Sequence, residues 1–148
     1  DWSSDVCSSD LEIAMLRLHQ QGFDPHQLVA ADIKPVVSAE LLHTAMAEVK
    51  RITVEDGVLK YLVDVVLATR AAHPVILGGS PRAAVALLRC SQAWAAMDGR
   101  TFITPDDVKL LARPILRHRV ILRPEAELEG LTTDQLIESV MASVPVPR

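Results

Sequence analysis

Gly78, Gly79, Ser80, Pro81 and Arg82 hold most of the chemistry that residue types and spacing offer in this chain. Serine is a preferred N-cap and proline suits the first helical position, so a helix is expected to begin at Pro81. A helix start presents unpaired N–H groups and the positive end of the helix dipole. Glycines let backbone approach a ligand closely, and Arg82 adds a full positive charge in the first turn. Together these are the parts of an anion site. A cation at that end works against the dipole by about 0.3–1 kcal/mol, a cost that a bound phosphate offsets. The same five residues also describe an ordinary capped turn carrying a solvated arginine, and spacing alone leaves both open.

Other chemistry is sparse. No Gly-Lys dipeptide occurs, so the lysine and hydroxyl of a G-x-x-x-x-G-K-[ST] phosphate loop are missing. No apolar strand ends in the Asp-Glu pair that would hold magnesium and activate water. The histidines, at 19, 26, 43, 73 and 118, have no ligand spacing among them and no cysteine partner, which counts against a metal site. Cys90, mid-helix among apolar residues, is expected to be an inert core thiol. Arg113, Arg117, Arg119 and Arg123 form a basic cluster that serves either as a solvated face or as a subunit or phosphate contact. Asp106 and Asp107 have a sufficient role at a helix start and are not assigned to catalysis. No Ser/His/Asp or Cys/His arrangement stands out.

The elements that position these residues follow from periodicity and punctuation. Residues 12–21 make a short helix ending at Gly22, and a connector punctuated by Pro25 and Pro35 leads to Ser38, the N-cap of a helix over 39–49. Residues 50–54 read as extended, and 55–70 as a helix with a wide apolar face. The helix from Pro81 runs to Asp98, with Gly99 behind it. Because residues 83–88 are apolar on every side, it is expected to be buried at the centre, with other helices wrapped around it. Thr104-Pro105-Asp106-Asp107 opens a helix that Pro114 limits, and Thr132 or Thr133 with Asp134 opens a last one reaching Ser143. The fold class is all-α: a small helical bundle over residues 38–148, with at most one short two-stranded pairing of 50–54 with 120–122.

Composition supports this. The 148 residues are 49% hydrophobic, 23% charged and only 3% aromatic, which fits about one soluble domain built on Ala, Leu and Val and excludes a disordered chain. A net charge of −4 is the wrong sign for gripping a nucleic-acid backbone. No run of 18 apolar residues and no secretion signal is visible, so a cytoplasmic address and no membrane partner are expected. Residues 1–11 show no periodicity and match one reading frame of a common sequencing-library adapter. They are set aside as foreign and are expected to be disordered. Without their three aspartates the net charge is −1, and Cys90 becomes the one native cysteine. The native chain is then expected to have been cut upstream of Glu12, leaving a fragment.

From Leu77 to Gly130 the string LGGSPRAAVALLRCSQAWAAMDGRTFITPDDVKLLARPILRHRVILRPEAELEG resembles the C-terminal lid of MoxR-type AAA+ ATPases. The likeness extends from HQQGFDP to the final SVPVPR, essentially residues 12–148. The resemblance implies a helical lid over residues 38–148 that closes over ATP bound to a separate α/β core, residues 12–37 being the helix and connector that end that core. Arg82 matches the family's sensor 2 arginine, which reaches the terminal phosphate and assists phosphoryl transfer. Gly79, Ser80 and Pro81 fall with it in the nucleotide-contacting motif. The family usually has a single glycine and a small residue before Ser-Pro-Arg, so Gly78-Gly79 is a mild variant. The phosphate loop and the residues that bind magnesium with ATP would lie in the core, so this fragment alone is not expected to hydrolyse ATP. Implied partners are its own core, ring neighbours in a hexamer and, for some members, von Willebrand A-domain proteins, in a chaperone-like ATPase that remodels or activates clients. The alternative from another class is a non-catalytic helical adaptor or histone-like DNA-binding module, against which near-neutral charge and scarce lysine count.

Overall fold

A computed structural model describes residues 9–26 and 34–147. The chain divides into two compact units, Asp1–Leu42 and His43–Arg148. In the first, helix α1 (Ser9–Gln20) has no buried residue. It closes on Gly22 at φ 89, with the Gly22 N–H on the His19 carbonyl and the Phe23 N–H on that of Leu18. A left-handed residue at the helix end is where glycine is needed. α1 begins three residues before the expected start, so Ser9, Asp10 and Leu11 are helical; the rest of the segment read as foreign lies outside the described residues. Helix α2 (Ala39–Lys50) is capped by Ser38, whose Oγ accepts the Leu41 N–H at 3.1 Å.

The second unit holds α3 (Asp56–Ala71), β1 (Val75–Leu77), α4 (Pro81–Met97), α5 (Pro105–Leu116), β2 (Ile121–Leu122), α6 (Pro124–Leu128) and α7 (Thr133–Ser143). α3 packs against α4, α5 and α7, α4 packs against α5, and α5 against α7. The fold is thus the expected small helical bundle with one two-stranded sheet.

The centre lies elsewhere than expected. α3 buries Val58, Tyr61, Leu62, Val65, Val66 and Thr69, the most of any helix among the described residues. α4 buries one stripe, Ala83, Leu87, Ser91 and Ala95, each four residues from the last, while Val85 is 48% exposed and Trp94 and Met97 face solvent. α4 is therefore a wall of the bundle. Alanine is the best helix former and has little apolar surface to hide, so an Ala-rich stretch signals helicity more than burial. Cys90 is exposed rather than a core thiol: at about 100° per residue it turns off the stripe that Ser91 occupies.

Two further expectations are corrected. β2 forms where a strand is expected, but its partner is β1, antiparallel, with Val75 opposite Leu122 and Leu77 opposite Ile121. Val75 and Leu122 both turn into the core, which gives that pair an inner face. In segment 50–54, Thr53 instead bridges Phe102: its N–H reaches the Thr101 carbonyl at 2.8 Å and its own carbonyl takes the Ile103 N–H at 3.1 Å. Pro114 does not limit α5, which continues to Leu116. The proline removes a bond to Leu110 on an exposed face, where water can replace it, and burial of Ile115 and Leu116 draws the helix onward. The short α6, opened by Pro124 at its first position, is additional to the elements read from sequence.

Candidate functional site

The last turn of α3 fixes the loop ahead of α4. Thr69, with no exposed surface, donates its hydroxyl to the Val66 carbonyl at 2.6 Å and accepts the Gly79 N–H at 2.8 Å. Arg70 Nε donates to the Gly79 carbonyl at 2.6 Å. Both backbone groups of Gly79 are therefore held by α3. A Cβ added at Gly78 would lie 2.6 Å from Arg70 Cα and 2.7 Å from its nitrogen, and one at Gly79 would lie 3.1 Å from Val66 Cγ1. Neither glycine has a positive φ. The closeness that glycine permits here is used against α3, a reason the sequence did not reveal. Gly78→Ala is expected to destabilise the domain by about 1–3 kcal/mol, because backbone rather than a flexible side-chain tip must move. A thermal melt of the variant matching wild type would contradict this.

Ser80 caps α4, its Oγ accepting the Ala83 N–H at 3.4 Å and its carbonyl accepting Ala83 at 2.9 Å and Ala84 at 3.3 Å. Pro81 has no N–H to offer. Of the first-turn donors, only the Arg82 N–H is without a partner among the described residues, fewer than the several free groups expected. The Arg82 side chain is exposed and makes no hydrogen bond or ion pair among the described residues. The structure brings Thr69 and Arg70 to Gly79, the first of the predicted residues, which Ser80, Pro81 and Arg82 follow in the chain. Sequence reasoning missed both, and no spacing signal marks a side chain that bonds a backbone group across a connection.

The other candidates fall into structural roles. Arg113 reaches Glu138 at 2.8 Å and Asp134 at 4.0 Å, and Arg117 reaches Asp134 at 2.9 Å, tying α5 to α7. Arg119 donates to the Ile115 carbonyl at 2.7 Å and meets His118. Arg123 donates from Nε to the His73 carbonyl and from its backbone to that of Pro74, both at 2.8 Å, closing the β pair. Each arginine of the basic cluster thus has a partner within the domain.

Asp107 and Asp106 part company at the start of α5. Asp107, 5% exposed, takes a two-pronged contact from Arg100 at 2.8 and 2.6 Å, and bonds from the Thr104 N–H at 2.7 Å and hydroxyl at 2.9 Å. Burial pushes its carboxyl up, but the bonds from Arg100 and Thr104 outweigh that and hold it below the usual carboxylate range. Hydrogen bonds to Asp107 and Asp98 in turn raise the Arg100 guanidinium. Asp106 faces solvent and pairs with Lys109 at 3.1 Å. Among the described residues no three of His, Cys, Asp and Glu stand together as metal ligands.

Residues 67–140 match the family model of the AAA lid domain, and the chain belongs to that family. The relatives it matches include proteins named MoxR. It is similar to Chaperone MoxR1 of Mycobacterium tuberculosis, 29% identical over 104 residues that cover 64% of this chain and 28% of that protein. It is also similar to YeaC, an uncharacterized protein of Bacillus subtilis, 36% identical over 115 residues that cover 78% of this chain and 36% of YeaC. A crystal structure of a proposed ATPase from Cytophaga hutchinsonii superposes with a TM-score of 0.72 at 30% identity, covering 95% of this chain and 44% of that one. The chain thus spans about a third of the curated relatives it matches.

Proposed function

We propose that this lid closes over ATP held by a separate α/β core and that Arg82 then reaches the terminal phosphate. The observation that carries this reading is Arg82 itself: an exposed guanidinium with no partner among the described residues, in the first turn of α4, on a loop bonded to α3. The donor set fits a phosphate. A planar fork of N–H groups and the free backbone N–H stand at the positive end of a helix. Gly79 contributes by holding the loop, its N–H taken by Thr69, and Ser80 and Pro81 by shaping the helix start, Ser80 as the cap through its hydroxyl and carbonyl and Pro81 as a first residue with no N–H. Bound ATP would supply the phosphoryl group, and its magnesium and phosphate cradle fall to the core. Phosphoryl transfer depends on positioning and charge neutralisation, and an arginine on a moving lid supplies both only on closure.

The rest of the reading rests on the relatives. MoxR1 is named a chaperone and the Cytophaga protein a proposed ATPase, which supports a parent AAA+ ATPase that remodels clients. In it the lid would work with its own core, with ring neighbours in a hexamer and with von Willebrand A-domain proteins, in the cytoplasm, and would not turn over ATP alone. Residues 12–37 would end the core. The exposed Ile13, Leu16 and Leu18 of α1 fit a helix whose packing partner is that domain. No helix among the described residues is long and apolar enough to cross a membrane.

The test is lid closure in the full-length protein carrying one spectroscopic label on the core and one on the lid. A non-hydrolysable ATP analogue is expected to shorten the label separation in wild type and to leave it unchanged in Arg82→Ala. Equal closure by both would remove Arg82 from phosphate sensing.

A further inference from the structure

We infer that Thr69 and Arg70 are positioning residues for Arg82, gripping Gly79 from α3 so that the first turn of α4 presents the guanidinium in one direction. This rests on the proposal that Arg82 meets a phosphate. A helical threonine often bonds a carbonyl of its own helix, and Thr69 does so with Val66. Its remaining lone pair is then available to a second donor, and the buried Gly79 N–H takes it. Arg70 grips the other side of the same residue through the Gly79 carbonyl. Gly78 allows this by lying backbone against backbone on Arg70.

Only Ser80 and Pro81 separate this clamp from Arg82. Ser80 is committed to Ala83 and Ala84 through its side chain and carbonyl, and the proline ring locks its own φ. These restraints narrow the backbone freedom between the clamp at Gly79 and Arg82. Because α3 also packs against α5 and α7, the aim of Arg82 is referenced to the bundle as a whole. A long side chain keeps its rotamer freedom, so fixing its root decides how often it arrives at a phosphate correctly oriented. Misplacement of about 1 Å in such a contact costs far more rate than affinity.

The experiment is a double-mutant cycle on ATP turnover by the full-length protein, read as kcat and KM alongside lid melting. Thr69→Val removes the hydroxyl and keeps the shape. It is expected to lower kcat about fivefold, the scale of one hydrogen bond, with KM within about twofold. Thr69→Ser, which restores the hydroxyl, should return kcat to near wild type. In an Arg82→Ala background Thr69→Val should cost nothing further, because its effect passes through Arg82; a purely structural role would add its full effect there. Arg70→Met, at an exposed position, repeats the cycle should Thr69→Val fail to fold. A through-space effect of its lost charge would persist without Arg82, whereas loss of the grip on Gly79 would not. If Arg82→Ala slows turnover but the clamp variants leave kcat unchanged, or slow it equally in both backgrounds, the clamp is overturned and the role of Arg82 stands. If Arg82→Ala itself leaves turnover unchanged, the phosphate reading fails and the clamp with it.

Discussion

Replacing Arg82 with alanine in the full-length protein is expected to slow ATP hydrolysis about tenfold or more while leaving the lid folded. A charge-assisted hydrogen bond contributes about 1.5–3 kcal/mol, and each 1.36 kcal/mol taken from transition-state stabilisation is a factor of about ten in rate. The fold has little to lose in exchange. Arg82 is exposed and without a partner among the described residues, it sits at the wrong end of the α4 dipole, and alanine is the better helix former, so the melting transition should stay in place or rise slightly. Turnover and lid melting measured on one preparation decide the matter. Unchanged turnover with a folded lid returns Arg82 to a solvated arginine; a lost melting transition makes it structural. Arg82→Lys sharpens the test, because it keeps the charge and removes the planar fork. Partial recovery points to charge neutralisation, and none to the two-pronged geometry.

What was legible in the sequence was local. Ser80-Pro81, Thr104-Pro105 and the Thr132 cap each signal a helix start within four residues, and the structure starts helices there. Arg82 could be singled out for the same reason: its meaning lies in its distance from its own cap. Thr69 and Arg70 could not, because a side chain bonding a backbone group nine or ten residues away leaves no period or spacing behind. The two glycines were legible as a close approach but not as to what approaches. The same limit explains the misplaced strand partner, since pairing across a chain is chosen by which faces reach the core. It also explains Cys90, whose exposure depends on the phase of α4 rather than on its apolar neighbours. Pro114 shows the complementary case, a strong local signal overridden because burial of the next two residues outweighs one lost hydrogen bond on an exposed face.

Asp107→Ala is expected to destabilise this chain by about 3 kcal/mol, combining about 1.5–3 for hydrogen bonds to a charged group with about 1 for a helix cap. In a domain of this size that lowers the melting temperature by about 10 °C or more. Asp107 answers the Thr104 N–H and hydroxyl and both prongs of Arg100, so truncation takes the buried acceptor from the start of α5 and leaves Arg100 with Asp98 and the Phe102 carbonyl. Asp106→Ala is the control. Its side chain is 86% exposed and pairs with Lys109 at the surface, so its effect should stay within about 0.5 kcal/mol. The pH dependence has a definite sign. The Asp107 carboxyl is held below its usual range in the fold, so its contribution is complete above the unfolded value of about 3.9 and is lost as pH falls through the folded value. The gap in melting temperature between wild type and Asp107→Ala should therefore be flat from about pH 5 upward and should narrow on acidification below about pH 4. Thermal melts of wild type and both variants across that window check it. A gap that stays constant into acid would mean that Asp107 acts by packing alone, and equal losses for Asp106→Ala and Asp107→Ala would mean that the contact with Arg100 contributes nothing beyond an ordinary surface pair.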